Sequence, residues 1–319
     1  MSYITGAEGY KGITPGHEIC GEVLEVGAEA DDCPHKPGDM VVVYPWTGCR
    51  DCEYCHAAKS QSCRDNKVST TDIGRGYDGR KHGGFQEMFP LEEWHFALSL
   101  PASIPPHIGC MLPCSGITTY VGLLKCQEPL RFGAEHRGGG KLLILGLGGL
   151  GSWALIIAKL MYGENVQVTC ADVSQDKLDA ARKMGADHTV LLSTADTVDE
   201  MSSKFIAHSG KLDACVDLVG FPNTIRACFL SVQNEGNVVV LGLAGGSLQL
   251  PTPTMVGRSI SLLGSRTGSI KHVQDLIQLV AEKGLRNEPP LEFVGLDAVN
   301  DVFARMKVGK VNGRAIIKM

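Results

Sequence analysis

The amino-acid sequence predicts an α/β protein, a doubly wound parallel sheet joined to a β-rich part. Three observations carry this expectation. The first third is punctuated by glycine and proline and reads as short β-rich runs near 22–27, 40–44 and 94–98, the pattern of an all-β domain with many turns. From about residue 141 the texture changes, and apolar strands alternate with segments of helical period, as in βαβ units. At that point an apolar run, Lys141 to Leu145, leads directly into a glycine-rich loop. With 319 residues the chain is long enough for about two domains. Apolar residues make up 44%, enough to give each a core.

Composition narrows the function. The net charge is −5 and there is no basic run, so nucleic acid and anionic membranes are poor partners. The longest apolar stretch, from Lys141 to Met161, is broken by glycines and contains Lys141 and Lys159, so no membrane span is predicted. The start, Met-Ser-Tyr-Ile-Thr-Gly, lacks the basic and apolar regions of a secretory signal, and the expected compartment is the cytoplasm. There is no repeat of solenoid spacing and no low-complexity tract.

Within the β-rich part, Cys49, Cys52, Cys55 and Cys63 are spaced Cys-x2-Cys-x2-Cys-x7-Cys among turn formers and charges such as Thr47-Gly48 and Arg50-Asp51. Four thiolates so close in sequence can wrap one tetrahedral Zn²⁺, and a closed all-sulfur shell is structural rather than catalytic. A disulfide pair or scattered buried thiols is the alternative. The chain has twelve cysteines but no secretory signal, which favours a reducing compartment and a metal site.

The buried-strand pattern of Lys141-Leu-Leu-Ile-Leu145 runs into Gly146-Leu147-Gly148-Gly149-Leu150-Gly151, and a helix pattern follows with Trp153, Ile156, Ile157, Leu160 and Met161 on one side. Strand, loop and helix are in the order of a Rossmann turn. Gly146 would permit the tight turn and Gly148 the approach of a pyrophosphate to the helix N-terminus, and Gly151 would let helix and strand pack closely. The next strand pattern, Val166 to Ala171, ends at Asp172, about 20 residues on, where a carboxylate accepts the adenosine ribose hydroxyls. It would repel a 2′-phosphate, so NAD(H) is expected rather than NADP(H). Asp172 could also cap the helix predicted over 174–184. Further strands are predicted over 188–192, 214–219 and 237–241, with helices near 198–207 and 224–230. The segment 131–140 reads as a linking loop.

Gly16-His17-Glu18-Ile-Cys20-Gly21 precedes the cysteine cluster, and Pro113-Cys114-Ser-Gly-Ile-Thr118 follows it. With Pro37-Gly38-Asp39, Gly83-Gly84-Phe85, the glycine loop, Asp172 and Arg314, this ordered set resembles the medium-chain dehydrogenase/reductase superfamily, and within it the zinc-containing alcohol dehydrogenases, over essentially the whole chain. The resemblance implies a GroES-like catalytic domain over 1–115 carrying the zinc lobe, a Rossmann domain over 116–266 and a return to the catalytic domain over 267–319. It implies a second, catalytic zinc at His17 and Cys114 with Glu18 beside it and able to swing in as a third ligand, Thr118 near the nicotinamide, Arg314 near the pyrophosphate and Lys177 near the ribose. It also implies an edge strand over 259–265 that pairs two chains as a homodimer or within a homotetramer. The implied reaction is hydride transfer between an alcohol, or its aldehyde or ketone, and NAD.

In one respect the sequence departs from the resemblance. The family's first catalytic cysteine and the Ser or Thr that relays the proton stand upstream of the Gly-His-Glu segment, and no cysteine precedes Gly16. The chain is therefore expected to begin late, which leaves an alternative: an NAD- and zinc-binding protein of impaired activity. Cys20 is a conceivable substitute ligand, but its position on a predicted strand turns it away from His17. A zinc-independent reductase of the same superfamily is disfavoured by the intact ligand residues. His56, His82, His95, His107 and His136 read as surface or locally bonded groups. Cys33, Cys110, Cys126, Cys170, Cys215 and Cys228 read as buried small hydrophobes or surface thiols.

Overall fold

The computed structural model describes residues 14–63, 83–311 and 313–319; His82 lies outside them. The chain forms two compact units. One comprises the described residues up to Ile117 with Gly268–Gly284 and Leu291–Met319, and the other Thr118–Thr267 with Leu285–Pro290. The boundaries expected at 115/116 and 266/267 thus fall at 117/118 and 267/268, and a short stretch of the returning chain clusters with the second unit.

In the first unit β1 (Ile19–Glu22), β2 (Met40–Val43) and β3 (Ala97–Ser99) form an antiparallel sheet in the order β1-β2-β3. The expected strand over 22–27 ends at Glu22. Beyond it, only Val23 still pairs, donating to Asp39 O and accepting from Gly38 N at 2.9 Å, before the chain turns away. The run at 94–98 is split, because Trp94–Phe96 forms a 3₁₀ turn and only then does β3 begin. Later in the chain β10 (Leu291–Val294) and β11 (Arg314–Ile317) pair in parallel. Tyr44, fully buried at the end of β2, donates its hydroxyl to Gly268 O at 2.8 Å and so fastens the returning segment to the sheet.

The second unit is one parallel sheet in the order β6-β5-β4-β7-β8-β9. Its strands are β4 (Gly140–Leu145), β5 (Val166–Asp172), β6 (His188–Leu191), β7 (Leu212–Asp217), β8 (Val232–Val240) and β9 (Ser261–Gly264). Strand order reverses at β4, which places a crevice at the carboxyl ends of β4 and β7, where such sheets bind ligands. Leu142, Leu143 and Ile144 of β4 are fully buried, as helices on both faces require. Ser259 has φ +49°, which bars it from an extended strand, so the edge strand expected over 259–265 begins only after it.

Helices follow the 3.6-residue period. Those of eight residues or more are α1 (Ile117–Leu124), α2 (Gln127–His136), α3 (Gly149–Tyr162), α4 (Gln175–Lys183), α5 (Val198–Ile206), α6 (Pro222–Ser231), α7 (Ile270–Lys283) and α8 (Val299–Lys307). The expected loop at 131–140 is a correction. Helix α2 occupies most of it, with Leu130 and Gly133 buried and an Arg131–Glu135 pair at 3.0 Å one turn apart; only Arg137–Gly139 remain as a link. The helical run Pro106–Leu124 is long and apolar enough to cross a membrane, yet 61% of it is buried in the protein, as in a core helix.

Candidate functional site

Three residue groups carry chemistry. The first is the cysteine lobe. Gly48 (φ +70°) turns the chain into Cys49, and a Cβ there would lie 2.7 Å from Cys55 Sγ, so only glycine leaves room for that thiol. The sulfurs of Cys49 and Cys55 are 3.9 Å apart, those of Cys52 and Cys55 3.7 Å, and those of Cys52 and Cys63 3.6 Å. Tetrahedral zinc with bonds of about 2.3 Å requires sulfur–sulfur edges of about 3.8 Å. All four ligand atoms lie within 4.8 Å of one another, the separation a single cation needs. Burial pushes the Cys55 thiol up, while the Arg50 backbone N–H acts the other way. A divalent cation at the centre is the counter-charge that four ionised sulfurs need. The Arg50 side chain pairs with Glu93 and lies 5.7 Å over the Phe96 ring, tying the lobe to the body of its unit.

The second group comes from segments far apart in sequence. His17 follows Gly16 (φ +99°), whose turn is seated on Gly83 and Gly84. Gly84 N donates to Gly16 O at 2.8 Å, and a Cβ on Gly83 would meet that oxygen at 2.1 Å. Cys114 stands on a π-helical turn, Leu112–Gly116, a distortion that often marks functional positions. The fold brings His17 Nε2 to 3.2 Å from Cys114 Sγ across 97 residues of sequence. A zinc held by one nitrogen and one sulfur sets those atoms about 3.5 Å apart, so this pair fits the edge of a metal tetrahedron. The Trp46 ring packs on His17, with centroids 5.6 Å apart.

Glu18, expected beside the metal as a third ligand, is directed elsewhere. Its Oε1 accepts Ser115 N–H at 3.0 Å and Ser115 O–H at 2.5 Å, and its Oε2 pairs with the Arg314 guanidinium. It is not gathered with His17 and Cys114 into a three-ligand group; among the described residues the cysteine lobe is the group of that kind. Arg314, expected near a pyrophosphate, has its guanidinium on Glu18, and burial pushes its pKa down to about 10, still protonated at neutral pH. Cys20 belongs to neither set: it lies within β1 opposite Val42, and burial pushes its thiol up to about 11.

The third group is the glycine loop. Gly146 has φ +93°, and a Cβ there would lie 2.8 Å from Val219 Cγ2. A Cβ on Gly151 would fall 2.0 Å from Gly146 O, so helix α3 closes onto the loop only because that residue is glycine. A Cβ on Gly148 would meet nothing within 4 Å; this face of the loop is open toward an incoming group. Gly149 and Leu150 begin α3, whose first N–H groups form an anion-binding end. Asp172, at the end of β5, is only 7% exposed. Its Oδ2 accepts Leu147 N–H of the loop at 2.7 Å and its Oδ1 accepts Ser174 N–H at 2.9 Å, ahead of α4. The same carboxylate therefore shapes the loop and starts the helix, and each oxygen keeps acceptor capacity for a hydroxyl. Lys177 Nζ stands 4.0 Å from Asp172 Oδ2, and Thr118 lies in the first turn of α1.

Sequence reading did not single out Ser115, Trp46 or the seating role of Gly83 and Gly84. The only signal was position: Ser115 is next to Cys114, and the glycine pair stands within Gly83-Gly84-Phe85. Cys126, Cys170, Cys215 and Cys228 are fully buried, and none of the twelve cysteines forms a disulfide.

Two family profiles match the chain. The alcohol dehydrogenase GroES-like domain matches residues 2–102, and the zinc-binding dehydrogenase domain matches residues 149–282. The chain is 30% identical to an NADP-dependent alcohol dehydrogenase C of Mycolicibacterium smegmatis, over 96% of this chain and 81% of that protein. It is 31% identical to a mannitol dehydrogenase of Petroselinum crispum, over 96% of this chain and 84% of the relative. Among solved structures, acetophenone reductase from Geotrichum candidum in complex with NAD superposes with a TM-score of 0.76 at 26% identity, over 96% of this chain and 81% of that one.

Proposed function

Because the chain belongs to the medium-chain dehydrogenase/reductase family, with zinc-type alcohol dehydrogenases as relatives, we propose that it interconverts small alcohols and their aldehydes or ketones with NAD(H) and zinc. The observation that carries this reading is the 3.2 Å approach of His17 Nε2 to Cys114 Sγ, two zinc-ligand types from remote segments. A zinc ion bound there supplies Lewis acidity toward an alcohol or carbonyl oxygen, and the nicotinamide supplies or accepts hydride. The chain's own part is to hold and orient. His17 and Cys114 offer one neutral nitrogen and one anionic sulfur. The cysteine lobe holds a second, structural zinc. Gly148 and the start of α3 face a pyrophosphate, while Asp172 receives the ribose hydroxyls, with Lys177 beside it. Thr118 and Arg314 keep the nicotinamide and pyrophosphate roles that family membership suggests.

NAD(H) is favoured over NADP(H) by the charge of Asp172, although a relative is named as NADP-dependent. β9 is the edge of its sheet and pairs only with β8 among the described residues, which supports a homodimer or homotetramer. Twelve cysteines without a disulfide suit a reducing, cytoplasmic setting.

The direct test supplies zinc-loaded protein with a panel of primary alcohols, secondary alcohols and polyols and either NAD⁺ or NADP⁺. Alcohol-dependent reduction of NAD⁺, abolished in His17→Ala, is expected. A second reading, a dinucleotide- and zinc-binding protein without turnover, is favoured by one observation: among the described residues only two ligand atoms converge at the second centre. NADH binding without turnover on any of these substrates would select it. Asp172→Ala addresses the cofactor separately. Loss of hydrogen bonds to a charged group, about 1.5–3 kcal/mol, should weaken NADH about ten- to hundredfold in fluorescence titration while NADPH loses less. An unchanged NADH/NADPH ratio would remove the ribose role.

A further inference from the structure

We propose that Ser115 is a positioning residue of the His17–Cys114 centre, and that it acts by clamping Glu18. This inference rests on the reading of that pair as metal ligands. Glu18 is the neighbour of His17, and Ser115 is the neighbour of Cys114. The two segments are therefore joined twice in the same register, each time across 97 residues: once between the ligands and once between the residues beside them. A single contact between an imidazole and a thiol leaves one segment able to pivot on the other. A second link, one residue along, removes that freedom.

The second link is also the stronger. Ser115 is 1% exposed and aims both its N–H and its O–H at the same carboxylate oxygen, at 3.0 and 2.5 Å. Hydrogen bonds from a hydroxyl to an ionised carboxylate are short and about twice as strong as neutral ones. The other oxygen of Glu18 is held by Arg314 at the start of β11. Glu18 is thus pulled from two sides, and the hydroxyl balances the guanidinium. A backbone N–H alone would be present for any residue but proline at 115; the second donor is the serine hydroxyl. The clamp also has a chemical consequence. It keeps the carboxylate out of the ligand set, so among the described residues the charge presented to a metal at His17 and Cys114 is the single thiolate of Cys114.

Groups that orient metal ligands without touching the metal typically change affinity by 10- to 100-fold when removed. Co²⁺ is the probe, titrated into the full chain after the cysteine lobe has been filled with zinc. In the wild type, Co²⁺ at the second centre should give the near-ultraviolet thiolate band of one cysteine and a visible d–d band. Ser115→Ala should weaken Co²⁺ binding by about tenfold or more and move the d–d band, with lobe zinc unchanged. Glu18→Ala should do the same, and the double variant should lose no more than Glu18→Ala alone, because with the carboxylate gone the Ser115 hydroxyl has no clamp left to lose. That non-additivity does not follow from a general loss of folding, and Glu18→Ala still tests the clamp if Ser115→Ala does not fold. Unchanged affinity and band in Ser115→Ala, or additive losses in the double variant, would overturn the proposal. A wild type showing no thiolate band at this centre would remove the metal reading itself, and the clamp with it; the two failures are therefore distinguishable.

Discussion

The two candidate ligand sets solve one physical problem in opposite ways. In the lobe, four sulfurs come from a single stretch between Cys49 and Cys63, and a tight turn at Gly48 places them at near-tetrahedral spacing. At the other centre, His17 and Cys114 meet across 97 residues, and their approach depends on a glycine seat, a π-helical turn and a carboxylate clamp. A site closed within one loop needs little of the surrounding fold. A site assembled from distant segments inherits every weakness of the scaffold between them. The lobe suits a structural ion, and the dispersed pair suits a centre whose environment can be tuned.

The strongest attempt to break this contrast is Cys52→Ser, which removes the cysteine whose sulfur lies nearest two others. Metal binding in such small sites is folding free energy, on the order of 10–16 kcal/mol in zinc-finger peptides. The variant should lose one zinc per chain and become sensitive to proteolysis between 49 and 63, measured by elemental analysis and mass spectrometry of the digest. If the sites are as independent as their construction indicates, Co²⁺ at His17–Cys114 keeps its thiolate band. Simultaneous loss of both metals would show that the lobe supports the distant centre after all.

Glu18→Ala probes the other side. It leaves Arg314 and the Ser115 hydroxyl without the carboxylate that joins them. Removing one partner of a fully buried pair costs about 3–5 kcal/mol. The Arg314 side chain is 27% exposed, so about 1–3 kcal/mol is expected here after allowance for solvent. Urea unfolding should detect this loss, while zinc in the lobe stays bound. An unaltered midpoint would mean that the Glu18 pairings add nothing to stability.

The same contrast separates what the sequence revealed from what it concealed. The lobe was legible because ligand spacing along one loop is itself the geometry. The glycine loop was legible because strand, turn and helix are contiguous, so Gly146, Gly151 and Asp172 could be placed in advance. The Glu18–Ser115 link was not, since it depends on the register between an extended segment and a π-helical turn that no local pattern encodes. Neither was the bond from Leu147 N–H to Asp172, which exists only once the loop folds back on the end of β5. Helix α2 was hidden for a simpler reason: its inward face shows only Pro129, Leu130 and Gly133, and glycines at 138–140 imitate a linker.

The smallest effect concerns the scaffold under Cys114. Helix α7 packs directly on the π-helical turn: a Cβ on Gly116 would lie 2.8 Å from Leu276 Cδ2. Its N-terminus is closed by Ser269 and His272, whose Nδ1 accepts Ser269 N–H at 3.1 Å. That bond requires the nitrogen to be unprotonated. Burial lowers the His272 pKa below 6.5, outweighing Asp275, which raises it, and Lys271 acts in the same direction as burial. The unfolded chain therefore binds a proton more readily than the folded one. The stabilisation is fully present above pH 6.5 and is lost as pH falls from 6.5 through the folded value. A helix cap is worth about 1 kcal/mol, so wild-type stability in urea should fall by up to about that amount between pH 7.5 and 5 from this source. His272→Gln, which can still close the helix but does not titrate, should lack that share of the decline. Acidification should then loosen Co²⁺ at His17–Cys114 less in His272→Gln than in the wild type, while zinc in the lobe responds alike in both. Equal pH profiles at the dispersed centre would show that α7 does not transmit its cap to the Cys114 turn.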